Sequence, residues 1–129
     1  MVEPGAVFEI PADLADPPQR AQQDAPPRRE SRWVLVVSSK ADCRDRNEPT
    51  VIVVLLSAKT EFQDRHDVLI LRPDGGVQRD SIAQTDLIFT VLKDDLRDDR
   101  FRGTVLRDTI VRIRSRLADT LGYGGGAVG

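Results

Sequence analysis

Residues 31–39 read SRWVLVVSS, and residues 51–58 read VIVVLLSA. Both runs are rich in β-branched and other apolar residues, which favours two β-strands. Because nearly every position is apolar, we expect both strands to be buried on both faces, in the middle of a small sheet or barrel. The polar segment KADCRDRNEPT between them predicts a loop.

Further strands are predicted on either side of this pair. GAVFEI, residues 5–10, predicts a short strand that Pro11 ends, because proline has no N–H to donate to a sheet. HDVLILR, residues 66–72, predicts another strand, and the PDGG that follows is a typical turn sequence. In the mixed segment SIAQTDLIFTVL, only FTVL, residues 89–92, predicts a strand.

The C-terminal part of the domain predicts one amphipathic helix. Thr104 is the predicted N-cap and Gly122 the predicted C-cap. Between them, apolar residues recur at helical spacing. These residues are Leu106, Ile110, Ile113, Leu117 and Leu121.

Two segments lack the apolar residues that folding needs. The proline-rich residues 11–31 carry charges of both signs, which predicts a long mobile loop. The glycine-rich residues 123–129 predict a disordered tail. We therefore expect a single domain over residues 1–122, mainly β, with the helix last.

Composition and charge limit the function classes. A chain of 129 residues with 40% hydrophobic and 31% charged residues is typical of one globular domain. Its net charge of −2 creates no general attraction to nucleic acid or anionic lipid, so any such binding needs a local basic site. With no signal peptide, and with VIVVLL too short to span a membrane, we expect a cytoplasmic protein.

Cysteine and metal chemistry receive little support. A single cysteine, Cys43, cannot form an internal disulfide. Nothing places the only histidine, His66, beside it as a base. No spacing of side chains is typical of metal ligands, so we expect neither a metal nor a cofactor.

Five blocks of the sequence, in order, resemble the MazF/PemK family of toxin endoribonucleases. The resemblance implies a small SH3-like barrel of the MazF/PemK/CcdB type with a C-terminal α-helix. It also implies a toxin of a toxin–antitoxin pair, a homodimer, and a small cognate antitoxin that occupies the RNA groove. The blocks are PGAVFEI (4–10), SRWVLVVSS (31–39), VIVVLLSA (51–58), RDSIAQTDLIFTVLKDDL (79–96) and GTVLRDTIVRIRSRLADTLG (103–122).

The resemblance implies Arg32 and Ser57 as the catalytic pair. The reaction would be metal-independent, sequence-selective cleavage of single-stranded RNA, in which the 2′-hydroxyl attacks the adjacent phosphorus. A guanidinium can hold two phosphate oxygens at once, and a serine hydroxyl can donate a further hydrogen bond. Trp33, Gln84 and Asp86 are the candidate substrate-binding residues.

Each of these residues also has a purely structural interpretation. Arg32 is a charge at a strand end, Ser57 a hydroxyl bonded to backbone, and Trp33 a core side chain under the first loop. Asp86 is equally a turn residue.

Three positions depart from the family pattern. Trp33 replaces a proline, Ser57 a threonine, and Gln84 a basic residue. The alternative function is therefore a catalytically inactive PemK-like barrel that acts as a protein- or RNA-binding module.

Overall fold

A computed structural model of the chain describes residues 2–17 and 30–123. Within them, six strands form one antiparallel sheet that curls into a half-barrel, and the last element is a helix, as predicted. The order of strands in the sheet is β4-β5-β3-β2-β1-β6. The strands are β1 (Ala6–Pro11), β2 (Ser31–Val36), β3 (Thr50–Ser57), β4 (Asp67–Ile70), β5 (Ser81–Leu92) and β6 (Phe101–Thr104).

The two apolar runs form the middle of the sheet, and both of its faces are buried there. On β2, Val34 and Val36 pack with Phe8 in a first core cluster. The intervening Leu35 belongs to a second cluster, with Leu56 of β3. Alternating side chains therefore supply two cores, because successive residues of a strand point to opposite faces. The prediction of strands buried on both faces is confirmed.

Helix α2 (Arg107–Thr120) covers the face that carries the second cluster. Its Ile113 is fully buried, and Ile110 nearly so, which confirms the helical spacing of apolar residues. The predicted N-cap is wrong, because Thr104 is the last residue of β6. Instead, Asp74 accepts hydrogen bonds from the Leu106 N–H at 2.7 Å and from the Thr109 hydroxyl.

The end of α2 follows the prediction. Gly122 adopts a φ of +83°, and its N–H donates to the Asp119 carbonyl at 3.1 Å. The Tyr123 N–H donates to the Ala118 carbonyl at 2.8 Å. This pair of bonds satisfies carbonyls that the helix leaves unpaired, and the left-handed backbone it requires favours glycine.

The structure corrects the predicted start of strand β5. Strand β5 begins at Ser81 rather than near residue 89, but its pairing with β3 is interrupted. Val54 pairs with Ile88 while Leu55 pairs with Gln84, so residues 85–87 have no partner on β3. This break in the alternation explains why only the last four residues of β5 were predicted.

The polar loop between β2 and β3 also contains a short helix, α1 (Lys40–Arg44). The Ser39 hydroxyl accepts a hydrogen bond from the Asp42 N–H at its start.

The segment predicted as a mobile loop is partly structured. Pro11 is the last residue of β1, Ala12–Leu14 form a 3₁₀ turn, and Ser31 begins β2. Residues 18–29, and residues 124–129 of the predicted tail, lie outside the described residues. No helix among the described residues is both long and apolar enough to cross a membrane.

A turn links the two outer strands of the sheet. Asp74–Gly76, which follows β4, packs against β6. Gly76 has a φ of +75°, and a Cβ there would lie 2.0 Å from the Arg102 carbonyl oxygen. Only glycine permits so close an approach of the two backbones. The same turn leads into the cavity described next, which is lined by Val77, Gln78, Arg79 and Ser81.

Candidate functional site

A cavity of about 230 Å³ opens where β2 begins and β3 ends. The turn before β5 forms its third side. Its lining, among the described residues, contains two arginines and no carboxylate. The lining residues are Ser31, Arg32, Trp33, Leu56, Ser57, Ala58, Val77, Gln78, Arg79 and Ser81.

The Arg32 side chain is largely buried at this cavity, with 17% of its surface exposed. Its Nη2 lies 3.1 Å from Oδ1 of Asp16, a carboxylate that is itself 69% exposed. Its Nε is buried and has no hydrogen-bond partner among the described residues. A buried guanidinium N–H without an acceptor is costly, so this side chain favours an anionic or polar ligand beside it.

Ser57 reaches the same cavity from the neighbouring strand. Trp33 pairs with Leu56 in the β2–β3 register, and one further step along both strands brings Arg32 opposite Ser57. The Ser57 Oγ accepts a hydrogen bond from the Lys59 N–H at 3.1 Å. The backbone bond predicted for a strand-end serine is thus present. The hydroxyl proton remains available, since an accepted bond leaves the O–H free to donate.

Trp33 lies between the cavity and the core. It lines the cavity and also packs, half-buried, against the second core cluster. The Arg102 guanidinium lies 5.9 Å from the centre of its ring, close enough for a cation–π interaction.

Arg102 is held in turn by Glu9 on the adjoining strand. It donates to Glu9 Oε1 at 2.9 Å, and the Ser31 hydroxyl donates to Glu9 Oε2. The hydrogen bond from Ser31 has the larger effect and that from Arg102 the next, and both lower the pKa of Glu9. The ionised Glu9 carboxylate therefore holds Ser31 and Arg102 in place beside the cavity through these hydrogen bonds.

The other two predicted substrate-binding residues lie on β5, outside the cavity lining. Gln84 pairs with Leu55 and Asp67, in the interior of the sheet. Asp86 is exposed, within the three residues that have no partner on β3. The structure therefore does not bring Gln84 and Asp86 to Arg32 and Ser57.

His66 belongs to a separate hydrogen-bond network. Its Nδ1 lies 3.1 Å from the Thr120 Oγ1, which lies 2.7 Å from the Thr85 Oγ1. The Thr85 hydroxyl donates to the His66 carbonyl at 2.6 Å. The Arg65 Nε donates to the His66 Nε2 at 3.2 Å, which requires Nδ1 to carry the ring proton in the neutral imidazole. This network fastens the end of α2 to the sheet.

Cys43 lies in the first core cluster, and burial raises the pKa of its thiol. Its Sγ contacts the Ser38 carbonyl oxygen at 3.8 Å. Neither Cys43 nor His66 lines the cavity.

Sequence patterns did not predict Gln78 and Arg79 as site residues. Both side chains are exposed and line the cavity. They follow the PDGG turn, where no periodicity shows which way a side chain points. Only the packing of that turn against β6 brings them to the ends of β2 and β3.

Comparison with known proteins gives one family match and a set of structural neighbours. Residues 5–121 match the family described as PemK-like, MazF-like toxin of type II toxin–antitoxin system. The comparison with curated proteins gives no match.

Solved structures of low sequence identity share the fold. "Endoribonuclease from Mycobacterial species" has a TM-score of 0.68 and 23% identity, over 94% of this chain and 91% of that one. "Endoribonuclease in complex with its cognate antitoxin from Mycobacterial species" has the same score and identity, over 97% and 99% of the two chains. "Mycobacterium tuberculosis toxin MazF-mt6" has a TM-score of 0.66 and 13% identity, over 93% and 99%.

Proposed function

The chain belongs to the PemK-like, MazF-like toxin family of type II toxin–antitoxin systems, and from that premise we propose that it is a metal-independent endoribonuclease. One observation carries the proposal. Arg32 and Ser57, from neighbouring strand ends, line a single cavity whose described lining contains two arginines and no carboxylate. Such a cavity suits a phosphodiester, whose charge must be balanced by fixed cations and hydrogen-bond donors.

In the proposed reaction, the ribose 2′-oxygen attacks the adjacent phosphorus, and the bond from phosphorus to the 5′-oxygen breaks. The departing 5′-oxygen takes up a proton from water, so the products are a 2′,3′-cyclic phosphate and a 5′-hydroxyl end. Arg32 stabilises the negative charge that develops on the non-bridging oxygens, because its guanidinium stays protonated and offers several parallel donors. Ser57 donates one further hydrogen bond to the same group.

Two features of the site bear on this role. The ion pair between Arg32 and the exposed Asp16 is replaceable, since pairs at the surface contribute about 0–1 kcal/mol. A phosphate can therefore displace Asp16 at little cost. Among the described residues, the lining includes neither a carboxylate nor a histidine, and the proposed reaction passes the 2′-hydroxyl proton to a base other than these lining residues.

The substrate class follows from the geometry of the attack. In-line displacement requires a backbone that can be splayed out, which favours single-stranded RNA. The Trp33 ring at the cavity offers a surface on which a base can stack. The remaining properties rest on family membership: selectivity for a short RNA motif, a cytoplasmic location, a homodimer and a cognate antitoxin. The antitoxin is also supported by a structural neighbour described in complex with one.

The proposal is tested by cleavage of a long single-stranded RNA in the presence of a chelator. The wild-type protein is compared with Arg32→Ala, Ser57→Ala and the conservative Ser57→Thr. We expect discrete fragments with 5′-hydroxyl ends. Loss of a donor to the transition state lowers kcat about 10²–10³-fold, so Arg32→Ala and Ser57→Ala should both be impaired while Ser57→Thr remains active.

Arg46→Ala is the matched control. Arg46 is exposed in the loop between β2 and β3, at the opposite end of these strands from the cavity. It should cleave like the wild-type protein. Intact RNA after incubation with folded protein, repeated with a second RNA that covers all short motifs, would reject the nuclease. That outcome would favour a binding module built on the same sheet.

A further inference from the structure

The cavity differs in charge from the rest of the chain. The sequence has 21 acidic and 19 basic residues, yet the ten lining residues that the structure describes include two arginines and neither aspartate nor glutamate. Arg32 is already engaged in part, through its ion pair with Asp16. The second arginine, Arg79, forms no side-chain hydrogen bond or ion pair with any described residue. The cavity therefore holds one cation more than the scissile phosphate requires.

The backbone that carries Arg79 is held in place on both sides. Val77 is buried in the second core cluster, and Ser81 is buried at the start of β5. The Ser81 hydroxyl donates to the Arg79 carbonyl at 2.8 Å, and Asp80 Oδ1 accepts the Arg72 N–H at 2.9 Å. The Arg79 side chain nevertheless remains exposed. A cation on a fixed backbone beside the reacting group, with no partner in the described part of the chain, is placed to bind an anion of the ligand.

We propose that Arg79 binds a second, non-reacting phosphate of the same RNA, next to the phosphate that Arg32 holds. This inference rests on the proposed nuclease function. A phosphate that does not react keeps the same charge in the ground state and in the transition state. Its contact therefore strengthens binding equally in both, and its loss raises KM while leaving kcat unchanged. Arg32 differs, because its contact strengthens as the phosphorane forms.

Salt dependence gives a readout that a merely structural role would not change. Each phosphate neutralised on a single strand contributes about 0.7 to the slope of log affinity against log salt. Arg79→Gln should lower that slope by about 0.7. The ratio of the RNA affinity of the wild-type protein to that of Arg79→Gln should accordingly fall about 2.6-fold between about 50 and 200 mM salt. Arg79→Lys keeps the point charge and should retain most of the slope.

The experiment measures binding and cleavage of one short RNA. Its sequence spans a cleavage site that the fragment ends in the cleavage assay identify. Binding uses a fluorescein-labelled version with 2′-O-methyl riboses, in which the attacking hydroxyl is blocked. The variants are Arg79→Gln, Arg79→Lys and the control Arg46→Gln, which makes the same change of charge far from the cavity. Circular dichroism verifies that each variant is folded. We expect a several-fold rise in Kd and KM for Arg79→Gln, a wild-type kcat, and no change for Arg46→Gln.

The outcomes separate the two proposals. If the wild-type protein cleaves but Arg79→Gln matches Arg46→Gln in affinity and salt slope, the role of Arg79 is rejected and the nuclease stands. A fall in kcat with unchanged KM would also reject it, because the contact would then belong to the reacting phosphate. If the folded wild-type protein cleaves no RNA, both proposals are overturned.

Discussion

Replacing Asp74 by alanine tests how the turn that precedes the cavity-lining residues is fastened to helix α2. Its carboxylate accepts the Leu106 N–H at 2.7 Å and the hydroxyl of Thr109, a residue only 2% exposed. Loss of a helix cap costs about 1 kcal/mol. A buried hydroxyl left without its acceptor costs about 1–3 kcal/mol more. Because water can reach the exposed Leu106 amide, we expect Asp74→Ala to lower the free energy of unfolding by about 2–3 kcal/mol.

The assay is urea unfolding followed by circular dichroism. Asp108→Ala is the matched control, because it removes the same charge from the first turn of α2. We expect the control to cost about 0.3–1 kcal/mol, the contribution of a carboxylate near a helix N-terminus. Asp74→Asn, which keeps one acceptor oxygen, should fall between the two alanine variants. A loss for Asp74→Ala no larger than that for Asp108→Ala would refute the reasoning.

Two further predictions concern the sheet. Gly76→Ala should destabilise the protein by about 3 kcal/mol in thermal unfolding, since strain at its positive φ is joined by a clash with a β6 carbonyl. Gly122→Ala, with a similar φ but no atom within 4 Å of the point where its Cβ would lie, should cost only about 1–2 kcal/mol; equal losses would contradict the clash. Hydrogen bonds from Ser31 and then Arg102 lower the pKa of Glu9, so its ionised form stabilises the fold above pH 4.5, and this contribution is lost as the pH falls through the lowered pKa. The difference in unfolding free energy between wild type and Glu9→Gln should therefore shrink in urea titrations as the pH is lowered below 4.5, and a constant difference would argue against the pKa shift.

Local patterns in the sequence were sufficient for most of the fold. β2 and β3 were predicted from apolar runs, and α2 from apolar residues at helical spacing. These signals are local, because strand and helix periodicity are properties of a few consecutive residues. Residues 81–88 of β5 were missed because residues 85–87 break the alternation of the strand. The helix cap was missed because Asp74 lies 32 residues before Leu106 in the chain.

Some residues of the site were likewise predicted from the sequence, whereas their arrangement was not. Arg32 and Ser57 were predicted from the resemblance of their strands to a toxin family, and Trp33 from its place beside Arg32. That the three share one cavity with Gln78 and Arg79 was decided by tertiary structure alone. The turn at Asp74–Gly76 packs against β6, and this packing brings the residues that follow it to the ends of β2 and β3. A sequence pattern specifies which face of its own element a side chain occupies, but the arrangement of separate elements depends on long-range packing that no local period records.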